Sequence, residues 1–378
     1  MVDVAGFGID RVARAADVPH ERWPVLRLEN LDTDLPLPPE AVGATVGALE
    51  SAAANSWLPF TGDDDLREAI SDLLRERTGH RYDPRAEIVV TSGGMEGLLD
   101  SLLAAVDPGD HVVLTDPTYA GLVNRVRLVG GVPRFVPYRV VGGRWRLDLD
   151  VLADVMAGGP RALVLMSPSM PSGAVLNESE WAAVRELCEC HDVLLIHDTA
   201  MDRVLFDGHP HRHPDLPDRT LVVGSLSKEF RMIGWRVGWV AGPRPLIDAV
   251  GWAHVYNTTT PVGIARAAAT AVLRGDHGQV ADCAAELQRR RDTVLSALPG
   301  WPLVVPDGGW SMLLDVTRLG LTPADASEAL LREAAVAATP MTGWGDEVAA
   351  RYVRFVFSAE PVERLATLAE RVAGLGWV

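Results

Sequence analysis

Seven short apolar runs succeed one another at 87–91, 111–115, 133–137, 162–166, 193–197, 220–223 and 237–241, and most are separated by stretches of helical periodicity such as 96–105, 120–128 and 178–190. Strands that alternate with helices in this way can pair only through crossover connections, so the pattern predicts a largely parallel sheet of seven strands in an α/β domain. In such sheets ligands bind beyond the carboxyl ends of the strands. Past Gly242 the pattern changes. Helical segments at 262–273 and 279–298 are followed by alternating, half-buried strands at 301–305, 310–315 and 352–357. At 378 residues the chain exceeds the size at which one core usually suffices. Two domains are expected: a large one over 45–277, and a small α+β one over 278–378 that is joined by an N-terminal arm, 1–44. Within that arm, Leu26-Arg27-Leu28-Glu29-Asn30 and the proline-rich Leu35 to Pro39 read as extended chain. Asp63, Asp64 and Asp65 mark the first turn of a helix over 66–77.

Five of the strand ends carry chemistry. The first run leads into Ser92-Gly93-Gly94-Met95-Glu96, a glycine turn opening a helix whose free amides can cradle an anion. The second leads into Asp116-Pro117-Thr118-Tyr119, the fourth into Ser167-Pro168-Ser169-Met170-Pro171-Ser172-Gly173, and the fifth into Asp198-Thr199-Ala200-Met201. The sixth leads into Gly224-Ser-Leu-Ser-Lys-Glu-Phe-Arg-Met-Ile-Gly-Trp-Arg-Val-Gly238. Here Ser225 and Ser227 precede Lys228, Arg236 follows it, and Gly234 and Gly238 allow close backbone approach. The stretch reads as an anion site built around a reactive amine.

Its spacing resembles the lysine loop of fold-type I pyridoxal phosphate (PLP) enzymes, the aminotransferase class I/II family, and the likeness runs from about Asn30 to Ser358. The resemblance implies a large PLP-binding domain and assigns a role to each strand end. Lys228 forms the Schiff base and then moves protons as base and acid. Asp198 keeps the pyridine nitrogen protonated. Ser225, Ser227, Arg236 and the amides of Gly94 and Met95 hold the phosphate, and Tyr119 stacks on the ring. Arg354, in Val353-Arg354-Phe355-Val356-Phe357-Ser358, clamps the substrate α-carboxylate. A structural ion pair is the alternative for so apolar a setting. Asn30 lies at the substrate. Trp57 stands where the family places a tyrosine that reaches the neighbouring subunit's phosphate, which implies a homodimer with a shared site. The loop from Thr339 to Gly345 lines the pocket, with Trp310 and Trp344 either flooring it or packing in the core.

Two departures bear on the chemistry. The family's Asn-Pro-Thr-Gly appears as Met170-Pro171-Ser172-Gly173, and its Asp-x-x-Tyr as Asp198-Thr199-Ala200-Met201. In the family the asparagine and tyrosine donate hydrogen bonds to the phenolic oxygen of PLP, which a thioether cannot do. Without those donors the imine between Lys228 and PLP is expected to keep its proton, and its yellow colour, to higher pH than in ordinary aminotransferases. Finding the deprotonated form at neutral pH in an absorbance titration contradicts this. The resemblance thus implies action on an α-amino acid through an external aldimine and a quinonoid. Transamination is the first reading. A β-eliminating C–S lyase, or a decarboxylating or oxidative relative, stays open because of the methionines, and a non-enzymatic sensor domain is more remote.

Composition narrows the partners. A net charge of −16 and a pI near 5.0 argue against nucleic acid and anionic membranes and favour a small molecule. Cys188, Cys190 and Cys283 offer no disulfide framework and fit a cytoplasmic setting. Neither Cys188-Glu189-Cys190 nor the tract from His209 to His213 reads as a metal site. Met1 to Asp10 lacks the apolar core of a signal peptide, and no run of eighteen apolar residues spans a bilayer.

Overall fold

The computed structural model describes residues 8–378; most of the Met1–Asp10 stretch, with the expectation attached to it, lies outside them. Thirteen strands occur among the described residues. They are β1 (Leu26–Leu28), β2 (Ile88–Thr91), β3 (His111–Asp116), β4 (Val132–Val141), β5 (Arg144–Leu147), β6 (Ala162–Met166), β7 (Leu194–Asp198), β8 (Thr220–Ser225), β9 (Gly238–Ala241), β10 (Leu303–Val304), β11 (Ser311–Asp315), β12 (Val336–Pro340) and β13 (Tyr352–Val356).

All seven apolar runs become strands of one sheet, ordered β2-β9-β8-β7-β6-β3-β4-β5. From β8 across to β4 the neighbours run parallel. β9 is antiparallel to both β8 and β2, so β2 points the same way as the parallel set. The eighth strand was not expected. The chain turns through Gly142 (φ 59°) and Gly143 (φ 78°), and Val141 pairs with Arg144 in a two-residue hairpin that adds β5 as an antiparallel edge. Arg139, Arg144 and Arg146 interrupt the apolar run there, yet Tyr138, Trp145 and Leu147 alternate inward and are buried.

Both faces of this sheet are covered. Ile88, Val90, Val222 and Trp239 pack on one side, while Val89, Val223 and Val240, their chain neighbours, pack on the other. Strands buried on both faces read as continuous apolar runs, which explains why the sequence pattern was so plain. The second sheet, β1-β12-β13-β11-β10, is mixed. The N-terminal arm enters it as β1, parallel to β12. The expected helices form at Asp64–Thr78, Gly94–Ala105, Ala120–Leu128, Glu178–Cys190, Gly263–Arg274 and Gly278–Ala297. Among the described residues no helix is long and apolar enough to cross a membrane.

Candidate active site

Lys228 follows the buried strand β8 and stands where the carboxyl ends of the parallel strands meet the second sheet. Its Nζ donates to the carbonyl of Leu31 at 3.3 Å and lies 4.9 Å from the ring centroid of Trp310. Burial pushes its ammonium down to about 8; Arg354 and Arg236 add to that, while Asp32 and Asp198 oppose it. It is also the only lysine in the 378-residue chain, which carries 34 arginines. Arginine can replace lysine wherever a cation is needed, but it cannot supply a neutral primary amine.

Asp198 ends β7. Its Oδ1 accepts from the amide of Ala200 at 2.9 Å, and burial raises its carboxyl to about 6, with Lys228 acting in the opposite direction. Both residues line a cavity of about 210 Å³, together with Tyr119, Met170, Met201 and Arg236. The two shifts fix an expected pH profile for covalent capture of PLP by the cofactor-free protein. Only the neutral amine attacks an aldehyde, so the capture rate should climb roughly tenfold per pH unit up to about pH 8 and then level off. A climb continuing towards pH 10 would show an ordinary, solvated lysine.

The anion end of the cavity is built from three elements. The helix Gly94–Ala105 presents the amides of Gly94 and Met95, both in the cavity wall. Ser225 Oγ donates to Ser227 Oγ at 2.9 Å, and Arg236 Nη1 donates to Ser227 Oγ at 3.2 Å and to the Ile233 carbonyl at 2.9 Å. Gly238 is what lets these elements converge: a Cβ there would sit 2.5 Å from the amide nitrogen of Gly94 and 2.7 Å from the Gly224 carbonyl. Gly234, by contrast, faces open space. A guanidinium, two hydroxyls and a helix N-terminus on one spot, with a carboxylate and an amine farther along the same cavity, form a donor set that fits PLP. Bound there, PLP supplies an electron sink for a bond broken at the substrate Cα.

Tyr119 caps the helix Ala120–Leu128, lines the cavity and meets Trp344 edge to face at 5.6 Å. The ring lies across the first turn of its own helix, because a Cβ at Gly121 would be 2.4 Å from Tyr119 Cε1. Gly121→Ala should therefore swing the ring away. The PLP dissociation constant should rise by about 5- to 10-fold, the worth of one aromatic contact, with little change in thermal stability. Equilibrium dialysis of the variant measures it.

Arg354 is set back from the cavity. It lies on β13 with no exposed surface and is absent from the cavity wall. Nη2 donates to the Glu29 carbonyl at 2.5 Å, Nη1 lies 3.8 Å from the Met170 sulfur, and the guanidinium sits 4.6 Å over the Trp344 ring. Among the described residues Nε has no hydrogen-bond partner and no carboxylate lies within ion-pair distance of the guanidinium. Burial pulls its pKa down to about 10. Trp344 likewise packs behind the wall, against Tyr119 and Arg354. Asn30 is exposed and outside the cavity; its neighbour Leu31 reaches Lys228 instead. Trp57 is 81% exposed and is not among the residues of this chain's own cavity wall.

Two buried clusters near the site went unread in the sequence. Glu96 and Asp100, one turn apart on the phosphate-end helix, meet His254 from the helix Arg244–Asn257, with Nδ1 2.9 Å from Glu96. Their spacing of four puts both carboxylates on one helix face, a legible signal; the histidine, 158 residues from Glu96, gave none. Next to Lys228, Glu229 is buried against Arg77 at 2.6 Å and accepts from the Arg203 amide. His211 Nε2 lies 2.7 Å from an Asp202 carboxylate oxygen, so part of the histidine tract is a half-buried hydrogen-bonded element.

A lone buried amine facing a strand-end carboxylate, beside a dianion cradle on a mostly parallel sheet, defines a PLP-dependent enzyme of fold type I. The chain belongs to the aminotransferase class I and II family, whose model matches residues 26–372. It is 32% identical over 368 residues to arginine–pyruvate transaminase of Pseudomonas aeruginosa, covering 93% of this chain and 91% of that one. It is 31% identical over 322 residues to an aspartate aminotransferase of Pyrococcus abyssi, covering 83% and 82%. The structure of N-succinyldiaminopimelate aminotransferase from Mycobacterium tuberculosis superposes with a TM-score of 0.92 at 28% identity, over 99% and 98% of the two chains. The protein is a PLP-dependent aminotransferase, and the lyase and oxidative readings are not needed.

Proposed function

We propose that the enzyme moves an amino group from an α-amino acid to a keto acid, with Lys228 shuttling the Cα proton and Asp198 facing the pyridine nitrogen. Ser225, Ser227, Arg236 and the amides of Gly94 and Met95 bind the phosphate, Tyr119 covers the ring, and Arg354 holds the substrate carboxylate. The observation that carries this reading is Lys228 itself, the one lysine in the sequence, buried and held near neutrality beside Asp198. The same reading makes 45–277 the cofactor domain and 1–44 with 278–378 the small domain. It places the enzyme in the cytoplasm as a homodimer. There the exposed Trp57 of each subunit reaches the partner's phosphate site, where its indole N–H can donate.

The wall of the cavity suits an apolar side chain: Leu31, Met170, Met201 and Ile233 are among its lining, and the cations that face it are Lys228 and Arg236. The test is a panel of amino acids offered with and without a keto acid, with keto acid, ammonia and peroxide assayed separately. Product formation that depends on the added keto acid supports transamination. Ammonia release without one rejects it.

A further inference from the structure

The carboxylate clamp just proposed is shut in this structure, and the residue that shuts it is Met170. A guanidinium has five N–H donors and no acceptor, and burying it is costly unless those donors are paired. Arg354 is buried completely, has lost basicity through burial, and still leaves Nε without a partner. Nη2 is spent on the Glu29 carbonyl, Trp344 covers one face of the group, and what faces Nη1 is the Met170 thioether. Sulfur at 3.8 Å is a weak acceptor, so this is the poorest of the contacts around the cation. Met170 is only half-buried, and its other side forms part of the cavity wall. A flexible, unbranched side chain therefore stands between the cavity and Nη1 of the cation.

We infer that Met170 is a shutter on Arg354: the substrate carboxylate enters by turning the thioether aside and taking its place on Nη1. An apolar wall then becomes a charged site only when a carboxylate is present to exchange for the sulfur. Met170 would thus set carboxylate affinity as a positioning residue, without a part in the bond-breaking step. This rests on the clamp role proposed for Arg354.

The test measures propanoate binding to the PLP-loaded enzyme by titration calorimetry, in the wild type and in two variants that push in opposite directions. Met170→Ala removes the competitor, and propanoate should bind about fivefold more tightly, the worth of one weak contact to the cation. Met170→Gln is close to isosteric but offers an amide oxygen to Nη1, and propanoate should bind about fivefold more weakly. The KM for the amino acid should follow the same two directions. Arg354→Met should abolish the propanoate signal in every background. Equal, Arg354-dependent affinities in wild type, Met170→Ala and Met170→Gln would leave the clamp standing and overturn the shutter. Binding that survives Arg354→Met, or is absent from the wild type and Met170→Ala alike, would overturn the clamp and the shutter together.

Discussion

Lys228→Arg is expected to lose at least about 10⁴-fold in transamination rate, and Lys228→Ala as much, because covalent and proton-transfer roles fall together. The arginine variant is the more informative of the two. It keeps a cation where Leu31, Trp310 and Asp198 surround one, so the folded site should survive. A guanidinium stays protonated throughout the usable pH range and cannot become the neutral nucleophile that burial makes of Lys228 near pH 8. No other lysine can substitute, since the chain has none. Steady-state rates with a good amino donor, alongside a thermal melt, separate the two effects: activity gone with the melt unchanged is the expected pair. Activity within about tenfold of wild type would mean that another group carries the chemistry.

The second large effect belongs to Arg354. Arg354→Met should lower kcat/KM for α-amino acids by about 10²- to 10³-fold, the worth of two charge-assisted hydrogen bonds to a carboxylate. Most of it should appear in KM. Stability should move the other way or not at all. Removing one partner of a buried ion pair normally destabilises by stranding the other charge. Here, among the described residues, Nε is unpaired and no carboxylate lies within ion-pair distance of the guanidinium, Glu29 acting on it only from farther off. Losing the cation–π contact with Trp344 and the bond to Glu29 sets a limit on the gain. Urea or thermal unfolding of the cofactor-free variant checks the sign; a drop of several kcal/mol would reveal an ion pair that the geometry does not show.

What could be read from the sequence follows the physics of each element. Strands buried on both faces are uninterrupted apolar runs, so β2, β3 and β6 to β9 stood out, and with them Asp198 and Lys228 at their ends. β5 escaped because its outward residues, Arg144 and Arg146, are cations paired with Asp307, and half-exposed edge strands carry little apolar signal. The sequence does not show which residue of the arm faces the cavity. Asn30 points to solvent and Leu31 inward, a choice fixed by β1 pairing with β12 more than three hundred residues away. Arg354 was legible as a buried arginine on an alternating strand. Its separation from the cavity was not, since that depends on which way the Met170 side chain lies.

One buried amine, that of Lys228, is expected to hold the cofactor and do the chemistry. The most direct measurement is borohydride reduction of the PLP-loaded enzyme, followed by proteolysis and mass spectrometry. One phosphopyridoxyl group per chain is expected, on the peptide that spans Thr220 to Arg231 and contains Lys228. PLP recovered unattached, or found on the N-terminal amine, would contradict it.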